Sequence, residues 1–99
     1  MYQEDLLITK AALGEEHPEY AMTLNNSAGL YEAMGAYDKA EPMYQEALRI
    51  RKAALGEEHP EYATTLSNLA GLYQAMGAYD KAEPMYQEAL RITKAALGE

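Results

Sequence analysis

Apolar residues follow a helical period along the chain. They recur at spacings of three and four at Tyr62, Leu66, Leu69, Ala70, Tyr73 and Met76. Such spacing places side chains on one face of an amphipathic α-helix. Pro60 suits the first helical residue, and Gly77 suits a left-handed C-terminal stop. The pattern therefore predicts a helix over about Pro60–Met76, which we name helix A.

A second helix, helix B, is predicted directly after the first. Its apolar residues are Ala82, Met85, Tyr86, Ala89, Leu90, Ile92 and Leu97, and Gly98 ends it. Asp80 followed three residues later by Glu83 matches a capping box, in which the carboxylate accepts from amides of the first turn. Pro84 is then expected in that first turn, where its missing N–H costs little.

The whole sequence is one 42-residue unit written slightly more than twice. Met1–Pro42 recurs as Met43–Pro84, and Met85–Glu99 begins a third copy. Further copies of helix A are expected at about 18–34, and of helix B at about 38–55 and from the chain start to residue 13. Connections as short as Gly-Ala-Tyr and Gly-Glu-Glu-His make neighbouring helices antiparallel. A fixed period indicates a repeat array in which each unit buries its apolar face against the next.

The predicted fold class is all-α, with five helices in the order B-A-B-A-B. One domain of 1–99 is expected, divided into a leading helix B (1–17) and two repeats (18–59 and 60–99). With 48% hydrophobic and 24% charged residues, the composition is typical of a folded domain. The abundance of strong helix formers agrees with the periodicity.

Charge and cysteine content narrow the classes of function. A formal net charge of −8 repels phosphate backbones and anionic membrane surfaces, so nucleic acid and membranes are poor candidates for partners. Cysteine is absent, which excludes disulfides and fits a reducing compartment. The sequence has no apolar run of membrane-spanning length, and its start lacks a signal-peptide pattern. A cytoplasmic location is the default expectation.

Residues at fixed offsets resemble the tetratricopeptide repeat, a helix-turn-helix unit of about 34 residues. The signature positions of one unit hold Leu66, Leu69, Ala70, Tyr73, Gly77, Tyr79, Ala82, Tyr86 and Ala89-Leu90, and those of the preceding unit hold Leu24, Ser27, Ala28, Tyr31, Gly35, Tyr37, Ala40, Tyr44 and Ala47-Leu48. The longer unit is similar to the 42-residue repeats of kinesin light chains, which share the Ala-Glu-Pro, Leu-Gly and His-Pro steps. The resemblance implies a right-handed superhelix whose A helices line a concave, peptide-binding groove.

The first two copies differ at only seven positions, and three of these lie on one stripe of helix A. The stripe holds Met22, Asn25, Gly29 and Glu32 in one unit and Thr64, Ser67, Gly71 and Gln74 in the next. Met22/Thr64, Asn25/Ser67 and Glu32/Gln74 are the exchanges. Such clustering suggests side chains free of packing, which by the resemblance face the groove. Tuning to a ligand and neutral drift on a solvated face both remain open.

Asn26 and Asn68 adjoin the stripe and are identical in both units. An amide both donates and accepts hydrogen bonds, so a row of them can hold the backbone of an extended peptide. A local hydrogen bond between helices explains them equally well. Together with the stripe, the pair completes the predicted groove of Met22, Asn25, Asn26, Gly29, Glu32, Thr64, Ser67, Asn68, Gly71 and Gln74. None of these is Lys or Arg, which disfavours recognition of a terminal carboxylate.

Three of the remaining differences concern the first copy of the unit. Ser27 puts a hydroxyl where Leu69 fills the core, with an expected loss of packing. Asp5 stands where Ala47 faces its own helix A, and a charge there suits an exposed end of an array. Leu7 stands where Arg49 lies and adds apolar surface.

Sites for metals and catalysis are not indicated. His17 and His59 each lie in Glu-Glu-His-Pro-Glu, without a second His at ligand spacing, and are interpreted as loop residues ahead of a helix N-terminus. Asp38/Glu41 and Asp80/Glu83 could pass for paired carboxylates, but capping accounts for them. The sequence lacks a nucleophilic triad, a phosphate-binding loop and a dinucleotide fingerprint. We expect no cofactor and no enzymatic activity.

Two classes of function remain. The first is a protein-interaction scaffold that binds a neutral to basic peptide in the groove of the A helices. The second is a structural or engineered repeat fragment that associates with itself and has no ligand of its own. It is suggested by near-identical units and by ends that copy the interior, because such ends favour head-to-tail stacking or exchange of helices between chains.

Overall fold

A computed structural model describes residues 17–98, which form four α-helices and no strand. The helices are α1 (Pro18–Ala33), α2 (Tyr37–Leu55), α3 (Pro60–Ala75) and α4 (Tyr79–Leu97). α1 and α3 are the copies of helix A, and α2 and α4 are copies of helix B. The all-α prediction and these four helices are confirmed. The predicted leading helix B, with Asp5 and Leu7, lies outside the described residues.

Each A helix begins at its proline and is capped by the histidine before it. His59 has an extended backbone, and its Nδ1 accepts from the backbone N–H of Glu61 at 3.1 Å. His17 accepts from Glu19 at the same distance. The histidines therefore satisfy one of the exposed amides of the first turn, a role that the loop interpretation missed.

Glycines in the left-handed region join each A helix to the following B helix. Gly35 has φ 79° and Gly77 has φ 81°, as the predicted C-terminal stop requires. The next amide, that of Ala36, donates back to the carbonyl of Tyr31 at 2.8 Å. The carbonyl of Ala36 in turn accepts from the amides of Lys39 and Ala40. One helix thus ends and the next begins without an intervening loop.

The predicted capping box is wrong. The N-cap residues of the B helices are Ala36 and Ala78, and neither has a side-chain hydrogen bond. Because each helix begins at its tyrosine, Asp80 lies inside the first turn, where its charge still favours the positive end of the helix dipole. Pro84 consequently lies in the helix interior and not in the first turn.

Apolar packing joins the helices into two hairpins and the hairpins into one core. Ala21, Leu24, Ala47 and Ile50 pack between α1 and α2, and Ala63, Leu66, Ala89 and Ile92 repeat this contact between α3 and α4. A third cluster spans both hairpins and contains Ala28, Ala40, Tyr44, Leu69, Ala70, Leu72, Tyr73 and Ala82. Most signature residues of the repeat therefore lie in the core or against it, whereas Tyr79, Tyr86 and Leu90 of α4 are exposed.

The A helices lie closer together than the B helices. α2 packs against α3, and α1 also approaches α3. By contrast, α2 and α4 have no pair of Cα atoms within 8 Å of each other. The two helices A thus contact each other directly, whereas the two helices B do not. Within residues 17–98, no helix is long and apolar enough to cross a membrane.

Candidate peptide-binding face

The ten predicted groove residues lie on the neighbouring helices α1 and α3, five on each. Met22 is 48% exposed, and Asn26, Thr64 and Gln74 are also exposed. The remaining six, Asn25, Gly29, Glu32, Ser67, Asn68 and Gly71, are half-buried. We name this set of ten residues the A face.

An amide pair links the two helices within the A face. Nδ2 of Asn68 donates to Oδ1 of Asn25 at 3.1 Å. This is a hydrogen bond from helix to helix, the alternative that the sequence left open for the asparagines. Asn26 does not share this arrangement, because it is exposed on α1. The two asparagines thus have different surroundings although the repeat makes them equivalent.

Tyrosines of the B helices reach the edge of the A face. The hydroxyl of Tyr44 donates to Oε1 of Glu32 at 3.0 Å, and the hydroxyl of Tyr86 donates to Oε1 of Gln74 at 3.1 Å. Burial is the main cause that raises the pKa of the Tyr44 hydroxyl well above its usual 10. The hydrogen bond to Glu32 and the negative charge of Glu32 raise it further. The Glu32/Gln74 exchange therefore changes the charge beside a tyrosine and keeps the acceptor.

Of the two glycines of the A face, Gly71 makes room for a tyrosine hydroxyl, whereas Gly29 has space for a Cβ atom. A Cβ atom on Gly71 would lie 3.2 Å from the hydroxyl of Tyr86, which is closer than ordinary van der Waals contact. On Gly29 it would lie 3.6 Å from the hydroxyl of Tyr44. From the sequence, these tyrosines were assigned to the core, and the hydrogen bonds of their hydroxyls were not predicted. The residue type itself was the signal, because the hydroxyl of a buried tyrosine usually finds a hydrogen-bond partner.

Four residues of the A face are exposed. Met22 and Asn26 lie on α1, and Thr64 and Gln74 lie on α3. The hydroxyl of Thr64 donates to the carbonyl of Pro60 at 3.1 Å and keeps lone pairs for a further donor. The face therefore combines an apolar thioether with neutral hydrogen-bonding groups.

The family is established by comparison with known proteins. The family model described as Tetratricopeptide repeat matches residues 1–53 and 20–95. The chain belongs to the tetratricopeptide repeat family. Tetratricopeptide repeats generally mediate protein–protein interaction and generally act as non-enzymatic scaffolds. Among curated proteins, no sequence matches the chain.

A solved structure shares the fold of this tetratricopeptide repeat chain. The crystal structure of BtubC (BKLC) from P. vanneervenii superposes with a TM-score of 0.88 at 33% sequence identity. The match covers 99% of this chain and 39% of that chain. The chain thus spans about two fifths of the length of the protein to which it is similar.

The described part of this tetratricopeptide repeat chain contains no cluster suited to a metal. No group of three or more His, Cys, Asp or Glu side chains in residues 17–98 is arranged to hold an ion. His17 and His59 instead use Nδ1 as helix caps. Asp38 and Asp80 lie in the first turns of α2 and α4.

Proposed function

We propose that the chain is a non-enzymatic interaction module that binds an extended or short helical peptide along the A face. The proposal rests on the contact between α1 and α3, which the Asn25–Asn68 hydrogen bond joins. By contrast, α2 and α4 do not approach each other. Contact between the A helices, without contact between the B helices, favours curvature with the A face on the inner side. A ligand in that position touches both repeats at once.

The chemistry of the A face suggests how a peptide is held. Amide and hydroxyl groups of Asn26, Thr64 and Ser67 suit the N–H and C=O groups of a peptide backbone, and Met22 adapts to varied apolar side chains. The net charge of −8 and the carboxylate of Glu32 favour a neutral to basic ligand. Since the A face contains no Lys or Arg, recognition of a terminal carboxylate is disfavoured.

A peptide-display selection followed by calorimetry tests the proposal. A library of random ten-residue peptides is selected on the immobilised chain, and an enriched peptide is titrated by isothermal calorimetry. We expect the enriched peptides to be neutral or basic. Asn26→Ala is expected to weaken the selected peptide about fivefold, since a lost hydrogen bond is worth about 1 kcal/mol.

Thr93→Ala is the matched control, because Thr93 is an exposed, neutral hydroxyl residue on α4, away from the A face. Its affinity for the selected peptide should equal that of the wild type. Equal affinities of the wild type and the Asn26→Ala and Met22→Ala variants would place the peptide elsewhere and refute the proposal. Failure of the selection to enrich any peptide would also count against it.

A further inference from the structure

The last helix carries an apolar stripe that the preceding B helix buries. Tyr79, Leu90 and Leu97 of α4 are 65%, 57% and 69% exposed, and Tyr86 beside them is also exposed. At the equivalent positions of α2, Tyr44 is buried, and Tyr37, Leu48 and Leu55 are half-buried. The difference arises because α2 packs against the following helix A, whereas no described helix follows α4. We name these four α4 residues the end stripe.

A cleft of about 310 Å³ opens beside the end stripe. Its walls are Gln74, Tyr79, Ala82, Glu83, Tyr86 and Gln87. This volume is at the small end of ligand pockets. The cleft therefore suits a single large side chain more than an extended ligand.

The preceding unit shows what such a cleft accommodates. The residues 42 positions earlier are Glu32, Tyr37, Ala40, Glu41, Tyr44 and Gln45. Against them lies Tyr73 of α3, whose hydroxyl donates to Oε2 of Glu41 at 2.7 Å. The same hydroxyl accepts from Nε2 of Gln45 at 3.2 Å. Glu83 and Gln87 stand at the positions of these two partners, so the cleft on α4 has the composition of a tyrosine site.

We propose that the end stripe and its cleft bind α1 of a second copy of this chain, with Tyr31 of that copy entering the cleft. α1 has the same sequence as α3 at the positions that meet a B helix: Thr23, Leu30 and Tyr31 correspond to Thr65, Leu72 and Tyr73. Leu72 is fully buried, whereas Leu30 is 40% exposed. On association, Tyr31 leaves its contacts within its own chain and contacts Glu83 and Gln87 of the other copy.

The sequence of α4 favours a second copy as the partner. Met85–Glu99 differs from residues 1–15 only by Ala89 for Asp5 and Arg91 for Leu7. Neither of these α4 residues belongs to the end stripe: Ala89 is buried against α3, and Arg91 pairs with Glu58 at 2.9 Å. Three of the four end-stripe residues, Tyr86, Leu90 and Leu97, therefore have identical counterparts ahead of α1 in the sequence, at Tyr2, Leu6 and Leu13, and Tyr79 has none.

The junction residue of α4 supports the same partner. Thr93 stands where the interior junction has Arg51, and Thr9 holds this position ahead of α1. Arg51 is committed to α3, since Nη1 donates to Oγ1 of Thr65 at 2.6 Å. At this position α4 therefore has the residue type found ahead of α1, which is Thr9. It does not have the residue found ahead of α3, which is Arg51.

Such an association is head-to-tail, because different surfaces of the two copies meet. One copy supplies α4, and the other supplies α1. A heterologous contact leaves an α4 face free at one end, so association continues as concentration rises. The contact uses Leu30, the end stripe and the cleft, whose wall includes Gln74 at the edge of the A face. It uses none of the A-face residues Met22, Asn26, Thr64 and Ser67. Its failure would leave the proposed peptide-binding function untouched.

Complementary variants test the proposal by sedimentation equilibrium from micromolar to millimolar protein. The mass of the wild type should rise with concentration. Leu90→Glu blocks the end stripe and Leu30→Glu blocks the α1 face, so each variant alone should remain monomeric. An equimolar mixture retains one intact pair of faces and should form a dimer and nothing larger.

Ala95→Glu is the matched control for the added charge. Ala53, its equivalent on α2, stays exposed beside α3, so this position lies off the contact. The control should associate as the wild type does. Far-ultraviolet circular dichroism checks folding. Should the Leu90→Glu variant lose helicity, Glu83→Lys, which changes an exposed residue of the cleft, replaces it in the mixture.

Three results would overturn the proposal. The first is a wild type that stays monomeric at millimolar concentration. The second is a folded Leu90→Glu or Glu83→Lys variant that associates as strongly as the wild type. The third is a mixture of the two blocked variants that remains monomeric, which would assign the association to a symmetric contact.

Discussion

Ser27 combines full burial with an unsatisfied hydroxyl. Its Oγ has no hydrogen-bond partner within the described part of the chain, and its side chain is inaccessible to solvent. Sequence comparison of the units predicted lost packing at this position, since Leu69 is the equivalent residue. The unsatisfied hydroxyl was not predictable, because it depends on which acceptors lie around it in three dimensions. A buried polar group without a partner costs about 1–3 kcal/mol.

Ser27→Ala is expected to raise the free energy of unfolding by about 1 kcal/mol, because it removes the unpaired hydroxyl and keeps the Cβ atom. Urea denaturation measures the change. The half-buried Ser67→Ala is the control and should stay within about 0.5 kcal/mol of the wild type. A Ser27→Ala variant that is less stable than the wild type would show that the hydroxyl is satisfied in solution.

Tyr44 makes the free energy of unfolding depend on pH in the alkaline range. Burial and the neighbouring Glu32 raise the pKa of its hydroxyl above the usual 10, so the folded state favours the neutral phenol. This contribution is complete below the unfolded pKa and is lost as the pH rises past it toward the folded pKa. Tyr62 and Tyr73 have pKa values shifted in the same direction by burial.

Tyr44→Phe should therefore lose less stability than the wild type between about pH 9 and pH 11, since it lacks the titrating group. Urea midpoints across this range measure the slope. Tyr79→Phe, at an exposed position, is the control and should follow the wild type. Parallel slopes for the wild type and Tyr44→Phe would contradict the assignment.

The elements themselves were largely predictable from the sequence. Three- and four-residue spacing, Pro60 and the left-handed Gly77 set the limits of α3 to within one residue. The start of α4 was also predicted to within one residue, but its capping was not, because the turn at Gly77 makes Ala78 the N-cap and puts Asp80 inside the first turn. A capping pattern read along the sequence does not include this backbone hydrogen bonding between consecutive helices.

The junction between α2 and α3 contains a buried charge. Arg51 donates to Thr65 and to the carbonyl of Glu61 at 3.2 Å, and its Nε has no partner among the described residues. Burial lowers the pKa of the guanidinium, while the charge of Glu61 opposes that shift. Replacing a buried ion by an apolar side chain of similar length is often neutral or stabilising.

Arg51→Met should therefore stay within about 1 kcal/mol of the wild type or exceed it in stability. Arg51→Ala should lose about 2 kcal/mol or more, because it also removes the packing of the long side chain. Thermal and urea unfolding of both variants check this. Equal losses in Met and Ala variants would show that the hydrogen bonds, and not packing, hold the junction.

At the scale of the whole molecule, periodicity predicted the fold and family more completely than the site. The repeat determines which residues are equivalent in the sequence. Equivalent residues nevertheless have different surroundings in the structure. Asn26 is exposed while Asn68 bonds Asn25, because Asn68 has a preceding helix A beside it in the described structure. Tyr44 and Tyr86 likewise differ in burial because only α2 is followed by another described helix.

The peptide site is proposed where the two A helices meet. Amide chemical shifts of isotope-labelled protein, recorded during titration with a display-selected peptide, locate the bound peptide. We predict that the largest shifts fall on α1 and α3 at Met22, Asn26, Thr64 and Ser67, and that Asn26→Ala diminishes them. Shifts concentrated on α2 and α4, with α1 and α3 unchanged, would contradict the proposal.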